Sequence, residues 1–240
     1  MKLSDAQRSA RGAAVNEGSN RYADQHEQFD MFLSQEEKDR MKERELFPTQ
    51  PWNVRAMIQT LGPLIFGSWP TVPADIVIYE PCAGLGHQVA PLREYFPDVR
   101  PSDIEDWRRG FPLADALAFE AVTPSEKSVM CTNPPFTLAD AIVRQAQKTC
   151  DNVIILARLG LICGKERYEL HHRNPLGNLK TFLPCTERTP MVLGFYDPAA
   201  NKPQEFAWFH YQRGYTGHAT VVNLPPGLKA ELMRPEDVKI

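Results

Sequence analysis

The sequence predicts an α/β fold in which a mostly parallel sheet carries helices on both faces. Three observations point there. Apolar runs of strand length, DIVIYE (75–80), SVMCT (128–132) and NVIILARL (152–159), alternate with stretches of helical character. Strands that alternate with helices pair in parallel, because each crossover brings the chain back to the same end of the sheet. The later runs MVLGFY, EFAWFHY and HATVVNL are rich in aromatic and β-branched residues, with turn residues between them. They predict late strands, including an antiparallel pair closing one edge of the sheet.

Taken in order, residues 1–46 are polar, with 8 Lys/Arg and 10 Asp/Glu. Ser34 and Glu37 have capping-box spacing and open a surface helix that runs to about Leu46. This segment is read as an N-terminal extension, helical or partly disordered, with the disorder expected over its first ~20 residues, and residues 47–240 as one domain. FPTQPWNVRAMIQTLGPLIF is a Pro-rich turn followed by a helix from about Trp52. DIVIYE leads into the Gly-rich turn PCAGLG and a helix, HQVAPLREYF (87–96). A second strand ends at Ser102-Asp103-Ile104. SVMCT leads abruptly into Asn133-Pro-Pro-Phe136, after which Thr137 and Asp140 cap a helix through about Cys150. Residues 158–190 lack strong periodicity and read as a loop, and the sequence contains no internal repeat.

With 42% apolar residues in 240, the chain can bury one sizeable core. A net charge of -3 excludes a polycation that coats nucleic acid by bulk charge, though local basic patches remain open. The 21 prolines exceed the usual share, about 5%. They are scattered through apolar runs and read as punctuation in a folded chain. No run approaches ~18 apolar residues, so no transmembrane helix is expected. MKLSDAQRSARG lacks the apolar core of a secretory signal. The five cysteines (Cys82, Cys131, Cys150, Cys163, Cys185) are odd in number and include no CxxC, which predicts a reduced, cytoplasmic protein. Cys163, His171, His172 and Cys185 match no compact ligand spacing, so no metal is expected.

The turn Glu80-Pro81-Cys82-Ala83-Gly84-Leu-Gly86 follows a buried strand and opens a helix. Gly84 and Gly86 permit positive φ and close approach of backbone to a ligand. No Lys is present to hold a triphosphate, which weighs against an ATPase. Asp103, 19 residues after Gly84, stands where an acid meets ribose hydroxyls, with Ile104 beside it. A nucleoside-containing ligand is expected. Asp115 is either a contact for an adenine amino group or an exposed loop acid.

Asn133-Pro134-Pro135-Phe136 has a chance expectation of roughly 0.007 occurrences in a chain of this composition. It follows a strand directly, at the sheet end where open α/β folds bind ligands. Two prolines fix the backbone and remove two N–H donors. A rigid row of acceptors remains, the Asn133 side-chain oxygen and the Pro134 carbonyl, which suits an exocyclic amine. Phe136 can stack on a planar base.

These motifs, EPCAGLG with NPPF 47 residues beyond it, resemble the amino-methyltransferases that use S-adenosyl-L-methionine. The resemblance is strongest to DNA N6-adenine methyltransferases of the small phage and prophage type, and covers roughly residues 47–224. It implies a Rossmann-like class I methyltransferase fold, with a mostly parallel seven-stranded sheet and an antiparallel terminal strand. Phe47-Pro-Thr49-Gln-Pro51-Trp52 resembles the family's N-terminal cofactor motif, so Thr49, Pro51 and Trp52 join residues 80–84, Gly86, Asp103, Ile104, Asp115 and Asn133 as expected cofactor contacts. Asn133, Pro134, Pro135 and Phe136 are the expected catalytic residues. DNA is the expected partner. Arg158, Lys165, Arg167 and Arg173 would supply phosphate contacts from a short basic recognition insert at about 160–190, within a stretch (158–190) whose charge balance is +3. Two other readings stay open: methylation of an RNA base or a protein glutamine amide, and a non-catalytic nucleic-acid-binding module with the same fold.

Overall fold

Strand β1 (Ile76–Glu80) is buried along its whole length because both faces of the sheet are covered. Its residues alternate between two cores. Ile76 and Ile78 belong to one cluster with Val54, Ile58 and Leu92, and Val77 and Tyr79 to another with Ile142 and Val143. A strand covered on both sides reads as a continuous apolar run, which is why DIVIYE was legible as a strand. The computed structural model describes residues 33–67, 69–121, 127–200 and 204–240.

The other strands are β2 (Val99–Pro101), β3 (Lys127–Thr132), β4 (Asn152–Arg158), β5 (Leu179–Pro184), β6 (Phe206–Gln212) and β7 (Thr220–Val221), in the sheet order β2-β1-β3-β4-β6-β5-β7. The pairs β1–β2, β1–β3, β3–β4 and β5–β7 are parallel. β6 is antiparallel to both of its neighbours, β4 and β5. The sheet is therefore seven-stranded and mostly parallel with one antiparallel strand, and that strand is slotted between β4 and β5 while β7 forms the edge. Trp208, Phe209 and Tyr211 of β6 are fully buried, so this aromatic run is core.

The helices are α1 (Gln35–Glu43), α2 (Pro51–Phe66), α3 (Val89–Tyr95), α4 (Ala139–Ala146), α5 (Lys165–His172) and α6 (Leu228–Leu232). Ser34 caps α1 in a reciprocal box with Glu37, as the spacing predicts, and α1 buries no residue. Pro51 occupies the first turn of α2, where its missing N–H costs nothing. Arg55 of α2 is 1% exposed. It donates to Asp237, to Glu94 and to the Leu232 carbonyl, tying α2 to α3 and to the C-terminal segment.

Several expectations are corrected. α4 begins after Leu138 with no side-chain cap, so Thr137 and Asp140 do not cap it, and Asp140 pairs with Arg167 at 3.6 Å instead. The stretch 158–190 is not a loop, since it contains α5 and strand β5. MVLGFY is not a strand. Gly194 (φ 71) turns the chain there, and only an isolated Val192–Phe195 bridge forms. Of HATVVNL only Thr220–Val221 is strand, although the Val222 N–H still donates to the Phe182 carbonyl of β5 at 2.9 Å.

Candidate functional site

The carboxyl ends of β1, β2 and β3 converge on a cleft of about 930 Å³, counted to its open mouth. Glu80, the last residue of β1, is fully buried there. Thr132 Oγ1 donates to its Oε1 at 2.7 Å, and Gln88 Nε2 donates to Oε2. Burial pushes its carboxyl well above the usual carboxylate range, with the Thr132, Cys82 and Gln88 donors opposing. Gln88 Oε1 is buried without a hydrogen-bond partner.

The glycine turn is tied to the end of β2. Gly84 has φ 51, and its N–H donates to Asp103 Oδ2 at 2.8 Å. A Cβ at Gly84 would lie 3.0 Å from Leu46 Cδ1. Asp103 Oδ1 accepts from the Glu105 N–H and from Trp107 Nε1. Burial raises the Asp103 carboxyl while these donors hold it down. Pro81, Cys82, Ala83 and Ile104 line the cleft beside them. Gly86 (φ 90) is outside the lining and faces Phe111. Asp115 lines the cleft but is exposed, and its Oδ1 accepts from the Leu117 N–H at the start of a 3₁₀ turn (Ala116–Ala118). Thr49 lines the cleft as well, whereas Pro51 and Trp52 are outside its lining, with Trp52 in the core.

Asn133 and Pro135 also line the cleft, whereas Pro134, which is buried, and Phe136 are outside its lining. Asn133 Nδ2 donates to the Phe47 carbonyl at 2.9 Å, and Asn133 Oδ1 is buried with no partner. Phe136 is half-buried and already packed. Phe47 stacks on it at 5.7 Å, and the Arg158 guanidinium lies over its ring at 4.9 Å. The Phe136 N–H donates to Glu45 Oε2.

The other expected phosphate contacts, Lys165, Arg167 and Arg173, do not line the cleft. Arg167 donates to the Gly160 carbonyl and pairs with Asp140, while Arg173 pairs with Glu169 and covers Tyr168. Lys165 is exposed at the start of α5. Sequence reasoning missed Glu45, Leu46, Gln88 and Trp107, all of which line the cleft. Arg40 of α1 and Arg44 just beyond it pair with Glu105, and the Arg40 guanidinium lies over the Trp107 ring. His87, next to Gln88, is buried against Tyr196, and burial lowers its pKa to about 4. Among the described residues, no group of three or more His, Cys, Asp or Glu side chains could hold a metal ion, and no helix is long and apolar enough to cross a membrane.

No protein-family model matches the sequence, and no curated protein matches it. Solved structures share its fold. The type IIG restriction endonuclease BpuSI matches with a TM-score of 0.51 at 12% identity, over 80% of this chain and 29% of that one. A chain of the DrdV–DNA complex matches with a TM-score of 0.50 at 11% identity, over 75% and 28%. The 23S rRNA methyltransferase ErmE matches with a TM-score of 0.44 at 16% identity, over 65% and 67%. The chain thus spans less than a third of the first two. The chain has a Rossmann-like α/β fold, a seven-stranded, mostly parallel sheet with one antiparallel strand.

Proposed function

We propose that this chain transfers a methyl group from S-adenosylmethionine to the exocyclic N6 amine of adenine in DNA. The observation that carries the proposal is the buried, unpartnered Oδ1 of Asn133 on the cleft. A buried acceptor without a donor costs about 1–3 kcal/mol, so its partner is expected from a ligand. The amide orientation follows from its surroundings. A flipped Asn133 would set its oxygen against the Phe47 carbonyl, acceptor against acceptor.

The residues present fit the cofactor. Gly84 supplies a turn that backbone can close on a ligand, and Asp103 Oδ2 keeps a lone pair for a hydroxyl beyond its bond to Gly84. Gln88 Oε1 is a second orphaned acceptor in the same cleft and suits an amino-acid ammonium. Bound there, S-adenosylmethionine would supply an electrophilic methyl group on a sulfonium. Asn133 Oδ1 and the Pro134 carbonyl would accept the two amine hydrogens. That favours a pyramidal nitrogen with its lone pair free for in-line attack. Positioning and electrostatic stabilisation then supply most of the rate.

An adenine in a duplex has to leave the stack to reach this row. A base that stacks on Phe136 displaces one of the ring's present neighbours. Arg158 is the one able to leave, because it is exposed and has no carboxylate partner among the described residues. Arg158 and Lys165 are the proposed phosphate contacts. Arg167 and Arg173 join them only by releasing Asp140 and Glu169.

The test is incubation with methyl-labelled cofactor and, separately, unmethylated DNA, RNA and protein extract. Label in DNA that is lost in Asn133→Ala supports the proposal. Label only in RNA or protein overturns the substrate, and cofactor binding without transfer favours a binding module.

A further inference from the structure

We infer that Glu80 acts on the cofactor through Gln88, turning the Gln88 amide so that Oε1 receives the ammonium of the cofactor's amino-acid end. The inference rests on the S-adenosylmethionine reading above. It makes Glu80 a positioning residue and Gln88 the residue that selects for the ammonium.

Glu80 ends β1, and Gln88 stands eight residues on, at the N-cap of α3. Gln88 is 4% exposed and lines the cleft. Its Nε2 has two hydrogens to give, and both have acceptors in the protein: Glu80 Oε2, and Cys131 Sγ at 3.6 Å. Oε1 is left buried without a partner. Reversing the amide would set its oxygen against the Glu80 carboxylate, acceptor against acceptor. The orientation that orphans Oε1 is therefore the one Glu80 imposes.

Glu80 itself is fully buried, so a ligand in the cleft meets Gln88 and not the carboxylate. Three donors converge on it, Thr132 Oγ1 at 2.7 Å, the Cys82 N–H and Gln88 Nε2. All three are neutral. Burial raises the carboxyl, these donors oppose, and Asp103, of the same sign, raises it further. A buried carboxylate without a counter-charge is costly, and a cation bound next to it offsets that cost. The orphaned oxygen beside it asks for an N–H donor. An amino-acid ammonium meets both demands at once. Gln88 Oε1 accepts one of its N–H bonds, and its charge lies one side chain away from Glu80.

The experiment is calorimetry on the full chain with two ligands. One is S-adenosylhomocysteine. The other is its deamino analogue, which keeps the nucleoside, thioether and carboxylate and lacks only the ammonium. Wild type is expected to prefer S-adenosylhomocysteine by about 10–100-fold, the range of one hydrogen bond to a charged group. Gln88→Leu and Glu80→Gln are each expected to abolish the preference and to leave affinity for the deamino analogue unchanged. The double variant Glu80→Gln with Gln88→Glu reverses the pair. The amide at 80 then donates to the carboxylate at 88, whose second oxygen takes the place of Oε1, and the preference is expected to return. No preference in wild type, a preference that survives either single change, a loss that falls equally on both ligands, or a double variant no better than the singles overturns the inference. Gln88→Leu leaves Glu80 in place and keeps the test decisive if Glu80→Gln does not fold. A wild-type chain that binds neither ligand overturns the cofactor reading together with this one. A chain that shows the preference but methylates no DNA overturns the transfer reading alone.

Discussion

Asn133 takes its orientation from Phe47. The Phe47 carbonyl receives Asn133 Nδ2 at 2.9 Å, and Oδ1 is left buried and unpaired beside the glycine turn. Two segments 86 residues apart thus prepare one acceptor. Asn133→Ala removes it without disturbing Glu80, Gly84 or Asp103. Methyl transfer is expected to fall by about 10²–10³, the loss typical of deleting one preorganised polar contact at a reacting centre. Cofactor affinity, measured by calorimetry, is expected to stay near wild type.

Gly84 is the second test. Its φ of 51 strains any residue with a Cβ, and Leu46 Cδ1, 3.0 Å from a would-be Cβ, has to give by a few tenths of an ångström. Gly84→Ala is expected to cost about 1–2 kcal/mol from backbone strain alone. Because the loss falls on the turn, cofactor affinity should drop further than the unfolding free energy does. Denaturant melts and calorimetry on one preparation separate the two effects.

Asp103→Asn addresses the same turn from β2. Asp103 accepts from Gly84, Glu105 and Trp107, and an amide replaces one of its two accepting oxygens with a donor. A donor facing a donor leaves buried N–H groups unpaired, at about 1–3 kcal/mol each. Weaker cofactor binding and faster amide exchange at Gly84 are the expected readouts.

Much of the cleft's lining was legible in the sequence, and the reason is local chemistry. Glu80–Gly84, Asp103, Asn133 and Pro135 reach the cleft from short spans whose residue types are marked by positive φ, close approach or missing N–H groups. Glu45 and Phe47 act across 91 and 86 residues of chain, and no local pattern announces such contacts. The polar composition of residues 1–46 points outward, yet Leu46 is 7% exposed against the glycine turn. β5 was hidden because LKTFLP alternates buried and half-exposed positions and contains Lys180 and Pro184, so it lacks the unbroken apolar run of β1. MVLGFY misled for the opposite reason. Its residues favour strands, but Gly194 turns the chain and donates to the Leu46 carbonyl.

Arg55 sets a stability expectation away from the cleft. It is 1% exposed and shares its guanidinium between Asp237, also 1% exposed, and Glu94. Arg55→Met leaves a buried carboxylate unpaired and is expected to destabilise the chain by about 3–5 kcal/mol. Urea unfolding measures it. A double variant, Arg55→Met with Asp237→Leu, is expected to recover most of the loss.

Two histidines set the acid limit. His210 lies between Asn152 Oδ1 and Thr181 Oγ1, and burial with Lys180 nearby lowers its pKa to about 3. His87 is lowered to about 4. Both pKa values lie below the unfolded value near 6.5, so the unfolded chain binds more protons between them. Their contribution to stability is intact above about pH 6.5 and is lost as pH falls through that window, with each histidine adding a slope of up to about 1.4 kcal/mol per pH unit. Glu80 has the opposite sign. Its raised pKa means the native state binds the extra proton, so stability is lost as pH rises from its unfolded value near 4.5 through its folded one. Unfolding free energies from pH 7 to pH 4.5 are expected to fall less steeply in His210→Gln than in wild type.

The most direct measurement is nucleoside mass spectrometry of unmethylated DNA treated with the full chain and S-adenosylmethionine, alongside Asn133→Ala. N6-methyladenine is expected with wild type and at least about 100-fold less of it with the variant. No methylated adenine from wild type under conditions where the cofactor binds, or equal amounts from both proteins, would contradict the role given to Asn133.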